Sequence, residues 1–156
     1  MDKKFSIREI YIEELKESLD LIWNVFLEYV APGYSDEGVQ EFKKYIDYDA
    51  IKEKVIKSEV LIWGCFEDKR IVGVIAIKKP NRINLLFVDR DYHKQGIAKE
   101  LFNVVVEYYK QKEEHIEITV NSSPYAKEIY QKLGFKETDV EQVVNGIRFT
   151  PMKIEI

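Results

Sequence analysis

Apolar residues in this chain change period several times, and each change marks an element. From Phe5 to Ile10 they alternate, which predicts a first strand. Ile12, Leu15, Leu19, Ile22, Trp23, Phe26 and Val30 then recur every three or four positions, as on one face of a long helix. Pro32-Gly33 ends it. Ser35 is the expected N-cap of a second helix, with Asp36 and Glu37 in its first turn and Val39, Phe42 and Ile46 on its apolar side. Three strands follow, Val60 to Phe66, Ile71 to Ile77 and Ile83 to Val88. The turns at Glu67-Asp68-Lys69 and Pro80-Asn81 are short enough for an antiparallel meander. Ile97, Leu101, Val104, Val105 and Tyr108 form a helical stripe, and His115 to Val120 reads as a strand. Ser123-Pro124 supplies an N-cap and a proline at the first helical position, Tyr125 to Leu133 is the helix, and Gly134 stops it. Two closing strands meet at an Asn145-Gly146 hairpin turn.

This order predicts an α+β fold: a mixed, mostly antiparallel sheet of about seven strands flanked by four helices. The strand Ile83 to Val88 should pair parallel with His115 to Val120 through its helical crossover. A length of 156 residues without repeats or low-complexity segments fits one domain, 1–156.

Composition narrows the partners. With 46% apolar and 33% charged residues the chain has the material for a core. A formal charge of −4 argues against general nucleic-acid binding. Charge is also uneven: six basic residues against two acidic ones between Lys78 and Lys99 make that segment net +4, leaving −8 for the rest. An anionic ligand near the first and a cationic one elsewhere would suit the split, although ordinary surface scatter gives the same count. The single cysteine, Cys65, sits in an apolar run and reads as a core thiol in a reducing compartment. No run reaches membrane-spanning length and the N-terminus shows no signal-peptide core, so the expectation is a cytoplasmic protein with no membrane partner.

The candidate chemistry begins where Phe87-Val88 runs through Asp89-Arg90-Asp91-Tyr92 into His93-Lys94-Gln95-Gly96-Ile97-Ala98. A glycine at a helix start lets an anion reach unpaired N–H groups at the positive end of the helix dipole. The stretch is neither a P-loop nor a dinucleotide fingerprint, so by itself it indicates only a phosphate-bearing ligand. Farther on stands Asn121-Ser122-Ser123-Pro124-Tyr125-Ala126, followed by Tyr130 and Leu133-Gly134-Phe135. Taken singly, Tyr130 reads as a core aromatic and Asn121 as a turn residue.

Together the two blocks resemble the GNAT superfamily of acetyl-CoA-dependent N-acetyltransferases. Its Q/R-x-x-G-x-G/A signature after an apolar strand is matched by His93 to Ala98, with histidine where glutamine or arginine is usual. Its later block is matched by Asn121, Tyr130 and Leu133-Gly134-Phe135, and the element order agrees along essentially the whole chain.

The resemblance implies acetyl-CoA as cosubstrate, no metal, and transfer to a primary amine by direct attack on the thioester. It also implies that the two central parallel strands splay into a slot. Leu86, Phe87 and Val88 would line the pantetheine arm, with the Val88 N–H facing the thioester oxygen. His93, Lys94, Gln95, Gly96, Ile97 and Ala98 would hold the pyrophosphate, and Asn121 would approach from the other side. Tyr130 matches the position of the proton donor to the leaving thiolate. No spacing selects a base among Glu28, Asp36, Glu37 and Asp49.

The substrate is expected over the first two helices, as a small-molecule or peptide amine. Residues 1–59 hold nine basic and fourteen acidic side chains there, and Tyr34 is the leading candidate for substrate contact. Dimers occur in the family, so a homodimer is among the expectations. The alternative function is a non-catalytic acyl-CoA-binding or regulatory domain of the same fold.

Overall fold

Every residue from Ile71 to Ile77 is buried, so this strand must be covered on both faces. It is the second strand of the meander, and the rest of the molecule is arranged around it. The computed structural model describes residues 4–112 and 116–156. Within them the strands are β1 (Phe5–Glu9), β2 (Val60–Glu67), β3 (Arg70–Lys78), β4 (Arg82–Val88), β5 (Glu117–Ser122), β6 (Lys136–Glu137), β7 (Gln142–Val144) and β8 (Ile147–Glu155). The helices are α1 (Leu15–Val25), α2 (Asp36–Tyr45), α3 (Tyr48–Ile56), α4 (Ile97–Lys110) and α5 (Lys127–Leu133). The strands run β1-β2-β3-β4-β5-β8-β6 across the sheet, with β7 also paired to β8, and only the β4–β5 pair is parallel. No described helix is long and apolar enough to cross a membrane.

One core lies under α4 and α5, built from Val72, Ile75, Ile77, Ile83, Leu101, Val105 and Ile118. The other lies under the N-terminal helices, where Leu15, Ile22 and Ile51 meet Val60, Val74, Ala76 and Leu85. Cys65 is buried beside the first core, and burial pushes its thiol up to about 11, as suits a core residue.

The expected fold class holds, with eight strands and five helices where seven and four were counted. The fifth helix arises because the second apolar stretch breaks after Tyr45. Asp47 accepts a hydrogen bond from the Ala50 N–H and so starts α3 as a separate element. The additional strand, β6, is only two residues long and too short to leave an alternation. The long first helix is also segmented: α1 ends at Val25 and passes into a wider π-helical turn, Phe26–Val30. Ser123 accepts from the Ala126 N–H, but this bond holds the preceding turn: Ser123 is not the N-cap, and α5 begins at Lys127 with Ala126 as its N-cap. The expected start of β5 at His115 lies outside the described residues.

A backbone-to-backbone approach joins the two ends of the chain. A Cβ on Gly38, in the first turn of α2, would collide with the Gly146 carbonyl at the β7–β8 turn. Arg148 on β8 reinforces the contact by donating to the Gly33 carbonyl at 3.1 Å. Helix propensity alone would make Gly38→Ala stabilising by about 1 kcal/mol. The collision is with backbone, which has little room to yield, so Gly38→Ala is expected to destabilise by about 1–3 kcal/mol instead. A denaturant midpoint that rises in Gly38→Ala would refute this contact.

Candidate active site

The β3–β4 register slips by one residue at Asn84: Ala76 faces Leu85, yet Ile77 faces Ile83. Such a bulge bends the strand and increases its twist. Asn84 Nδ2 donates to the Tyr45 hydroxyl at the end of α2, which ties the bulge to the helical layer. Its Oδ1 is buried without a partner among the described residues. On the other side, parallel pairing of β4 with β5 stops at the same place, after Arg82–Thr119 and Ile83–Val120. Beyond it the two strands part and leave a gap.

Hydrogen-bond alternation decides which backbone groups face that gap. The Asp89 N–H donates to the Val72 carbonyl at 2.8 Å, so Asp89 and Val72 form a bonded pair. In an antiparallel ladder bonded and unbonded pairs alternate. Phe87 therefore turns its N–H and C=O to β3, while Leu86 and Val88 turn theirs into the gap. The same logic applies to β5. The Ile156 N–H donates to the Ile116 carbonyl at 3.1 Å, which makes Asn121–Pro151 an unbonded pair and turns the Asn121 backbone towards β4. Pro151, with no N–H to offer, suits that position.

The turn leaving β4 has two left-handed residues, Lys94 (φ 64°) and Gly96 (φ 80°). Gly96 is the N-cap of α4 and no side chain caps that helix, so its first N–H groups, from Ile97 onward, are free. Nothing lies within 4 Å of where a Gly96 Cβ would stand, so the backbone is open to approach. Gln95 is exposed, Ile97 is buried and Ala98 is half-buried. His93 reaches back, its Nε2 2.8 Å from the Val88 carbonyl. A carbonyl only accepts, so Nε2 carries the proton. The residue that departs from the family signature thus braces the last peptide of β4.

Tyr130 on α5 is 4% exposed, edge-on to Phe135 at 5.4 Å. No described residue bonds its hydroxyl, and burial alone pushes its phenol well above the ordinary tyrosine range. Tyr34 lies in an aromatic wall on the opposite face of the sheet. Its ring meets Phe26 edge-on at 5.6 Å, Phe26 stacks on Phe42 at 4.0 Å, and Phe42 reaches Phe87 at 5.9 Å.

Of the four carboxylates, only Glu28 is tied to the gap, through Arg90 at 3.2 Å; Asp36, Glu37 and Asp49 are exposed on α2 and α3. A cleft of about 140 Å³ beside it is lined by Leu21, Asn24, Val25, Glu28, Asp89 and Arg90. The larger, shallow hollow of about 430 Å³ lies between α2 and α3 around Lys43 and Asp47, away from the gap.

Two further residues meet here without a role assigned to either from the sequence: the rings of Tyr29 and Tyr125 lie 5.0 Å apart. Both positions read as ordinary helical aromatics, and no local signal marks them.

A family model described as an acetyltransferase (GNAT) domain matches residues 30–156. This chain belongs to the GNAT acetyltransferases. An uncharacterized N-acetyltransferase of Escherichia coli, YafP, is 30% identical over 118 residues, which is 75% of this chain and 72% of that one. The PaiA N-acetyltransferase of Thermoplasma acidophilum, solved with coenzyme A, has a similar fold over 100% of both chains, with a TM-score of 0.83 and 21% identity. The spermidine N-acetyltransferase of Vibrio cholerae, solved with coenzyme A and spermine, aligns over 99% of this chain and 96% of its own. Its TM-score is 0.68 and its identity 18%. The eight-stranded sheet with one short parallel pair is thus the GNAT fold.

Burial in this acetyltransferase pushes the Tyr34 and Tyr109 phenols up to about 12. Below pH 10 both are protonated in the folded and unfolded states alike, so they add no pH dependence. From about pH 10 to 12 the unfolded chain releases protons that the fold retains, so stability falls as pH rises. Tyr34→Phe is expected to lose less stability than the parent between about pH 10 and 12 by urea denaturation. Equal losses would show that Tyr34 ionises freely in the fold.

Proposed function

We propose that residues 1–156 act as one N-acetyltransferase domain that moves the acetyl group of acetyl-CoA to a primary amine by direct attack on the thioester. The gap carries this reading. Strand edges with unpaired N–H and C=O groups suit the amides of a pantetheine arm, and an open, uncapped helix start suits the pyrophosphate. Here the first leads straight into the second, within the segment from Leu86 to Ala98.

In this reading Leu86 and Val88 bond the arm through their backbone, and Phe87 between them keeps β4 paired to β3. The pyrophosphate is held by N–H groups from His93, Lys94, Gln95, Gly96, Ile97 and Ala98, with the Lys94 charge beside them. Asn121 approaches the arm from β5. As the amine nitrogen bonds to the carbonyl carbon, the Val88 N–H stabilises the negative oxygen. The carbon–sulfur bond then breaks and the Tyr130 phenol gives its proton to the departing thiolate. Burial supports that role by keeping Tyr130 protonated across the neutral range. The amine's extra proton passes to solvent, from which the Tyr130 phenolate regains its own.

Tyr34 contacts the acceptor from the aromatic wall. A small-molecule amine is favoured as acceptor, supported by the acidic excess in residues 1–59 and by the spermidine substrate of the Vibrio cholerae enzyme.

Tyr130→Phe is expected to lower kcat by about 10²–10⁴ while the dissociation constant of coenzyme A stays within about twofold. Full-speed turnover in Tyr130→Phe would remove the residue from the mechanism. The transfer reading itself is tested by following thiol release from acetyl-CoA with a panel of amines. Coenzyme A binding without release for any of them would leave the non-catalytic alternative.

A further inference from the structure

Tyr29 lies one residue before the segment matched by the family model, on the π-helical turn Phe26–Val30. Turns of this width recur at functional sites, because the extra backbone re-aims the side chains they carry. The Tyr29 ring stands 5.0 Å from the imidazole of His93, tilted by 44°, and 5.0 Å from the ring of Tyr125, tilted by 32°. Those two partners belong to opposite walls of the gap. His93 is in the turn leaving β4 and touches the Val88 carbonyl. Tyr125 is in the turn leaving β5, just after Asn121.

One ring therefore spans the gap on the side of the N-terminal helices. Glu28, its neighbour, pairs with Arg90 beyond β4 and ties the helix end to the same wall. Both partners of that pair are exposed, and an ion pair of this kind holds weakly. The phenols of Tyr29 and Tyr125 are raised, Tyr29 chiefly by the Glu28 carboxylate beside it and Tyr125 by burial, so both rings stay neutral at neutral pH. The span is thus closed by two tilted ring contacts and one weak ion pair, a closure that a ligand is able to displace.

We propose that Tyr29 is a gate that decides which nucleophile reaches the thioester: closed on His93 and Tyr125 it keeps water away, and an acceptor amine enters by displacing it. The inference rests on the acetyl-transfer reading. The reaction it suppresses is hydrolysis. In that reaction a water oxygen bonds to the carbonyl carbon, the carbon–sulfur bond breaks, the thiolate takes up one of the two protons of that water, and acetate departs as the other passes to solvent. Water outnumbers any amine, so a site selects against it by exclusion. A broad aromatic ring suits the task, since it reaches a ring on each side at once. Tyr29 is then a specificity-determining residue, set against water.

The test measures thiol release from acetyl-CoA without any amine, beside formation of acetylated product with one. Tyr29→Ala is expected to raise amine-independent release by about tenfold, and Tyr29→Phe, which keeps the ring, to stay within about twofold of the parent. Equal amine-independent rates in the parent and Tyr29→Ala, zero included, overturn the gate when coenzyme A still raises the melting temperature of both. A rise as large in Tyr29→Phe overturns the ring's part in it. Should Tyr29→Ala fail to fold, Tyr125→Ala removes the facing ring from an exposed turn and carries the same expectation. A parent protein that acetylates no amine refutes the transfer reading alone, because the amine-free measurement still reads the gate.

Discussion

Hydrogen bonding between β4 and β5 ends after two residue pairs, and the proposed acetyl transfer depends on the edges left unpaired. A parallel ladder continued to Val88 would occupy the N–H and C=O groups of Leu86 and Val88, and the sheet would be closed. The bulge at Asn84 bends β4 at the point where pairing stops. It also sets the parity of the strand beyond it, so that alternate residues face β3 and the gap in turn. A break in the ladder leaves an ordered backbone edge only because β3 still holds β4 along its other edge.

The walls of the gap are held from several directions. Peptide 88–89 is fixed at both ends, its N–H bonded to Val72 and its carbonyl to His93. On one face, α4 and α5 pack their core against Val72, Ile75 and Ile83. On the other, an aromatic wall running from Tyr34 through Phe26 and Phe42 to Phe87 connects the first helices to β4. The close approach of Gly38 and Gly146 then pins the C-terminal hairpin to α2. Parts distant in the chain thus surround one short break in the sheet. That arrangement suits a reaction between a long, extended thioester and a separate nucleophile.

Much of this was legible in the residues. The meander from Val60 to Val88, the glycine turn and the helix after it are local patterns, each marked by apolar period or by a turn residue. Boundaries that depend on a single side chain were harder to place. Asp47 divides the second helical stretch, but a lone aspartate in a polar run looks like surface. The π-turn left no trace, because apolar residues continue at helical spacing through Val25, Phe26 and Val30. For the site, the signature residues marked the turn from β4 into α4, while nothing local set Tyr29 and Tyr125 apart from the rest of the ten tyrosines.

The sequence by itself determined the fold class, the mixed sheet and the family, because these rest on periodicity and on short motifs whose parts are neighbours in the chain. It also determined that a helix would begin at Gly96, since its left-handed conformation is one that glycine adopts at little cost. Only the tertiary structure decided where β4 and β5 part and which backbone groups face the gap. It also decided that His93 braces Val88 and that Tyr29 spans the opening. Those features depend on register and on contacts between segments far apart in the chain. A change of one residue in register reverses every backbone group along a strand, and no pattern within a single segment records it.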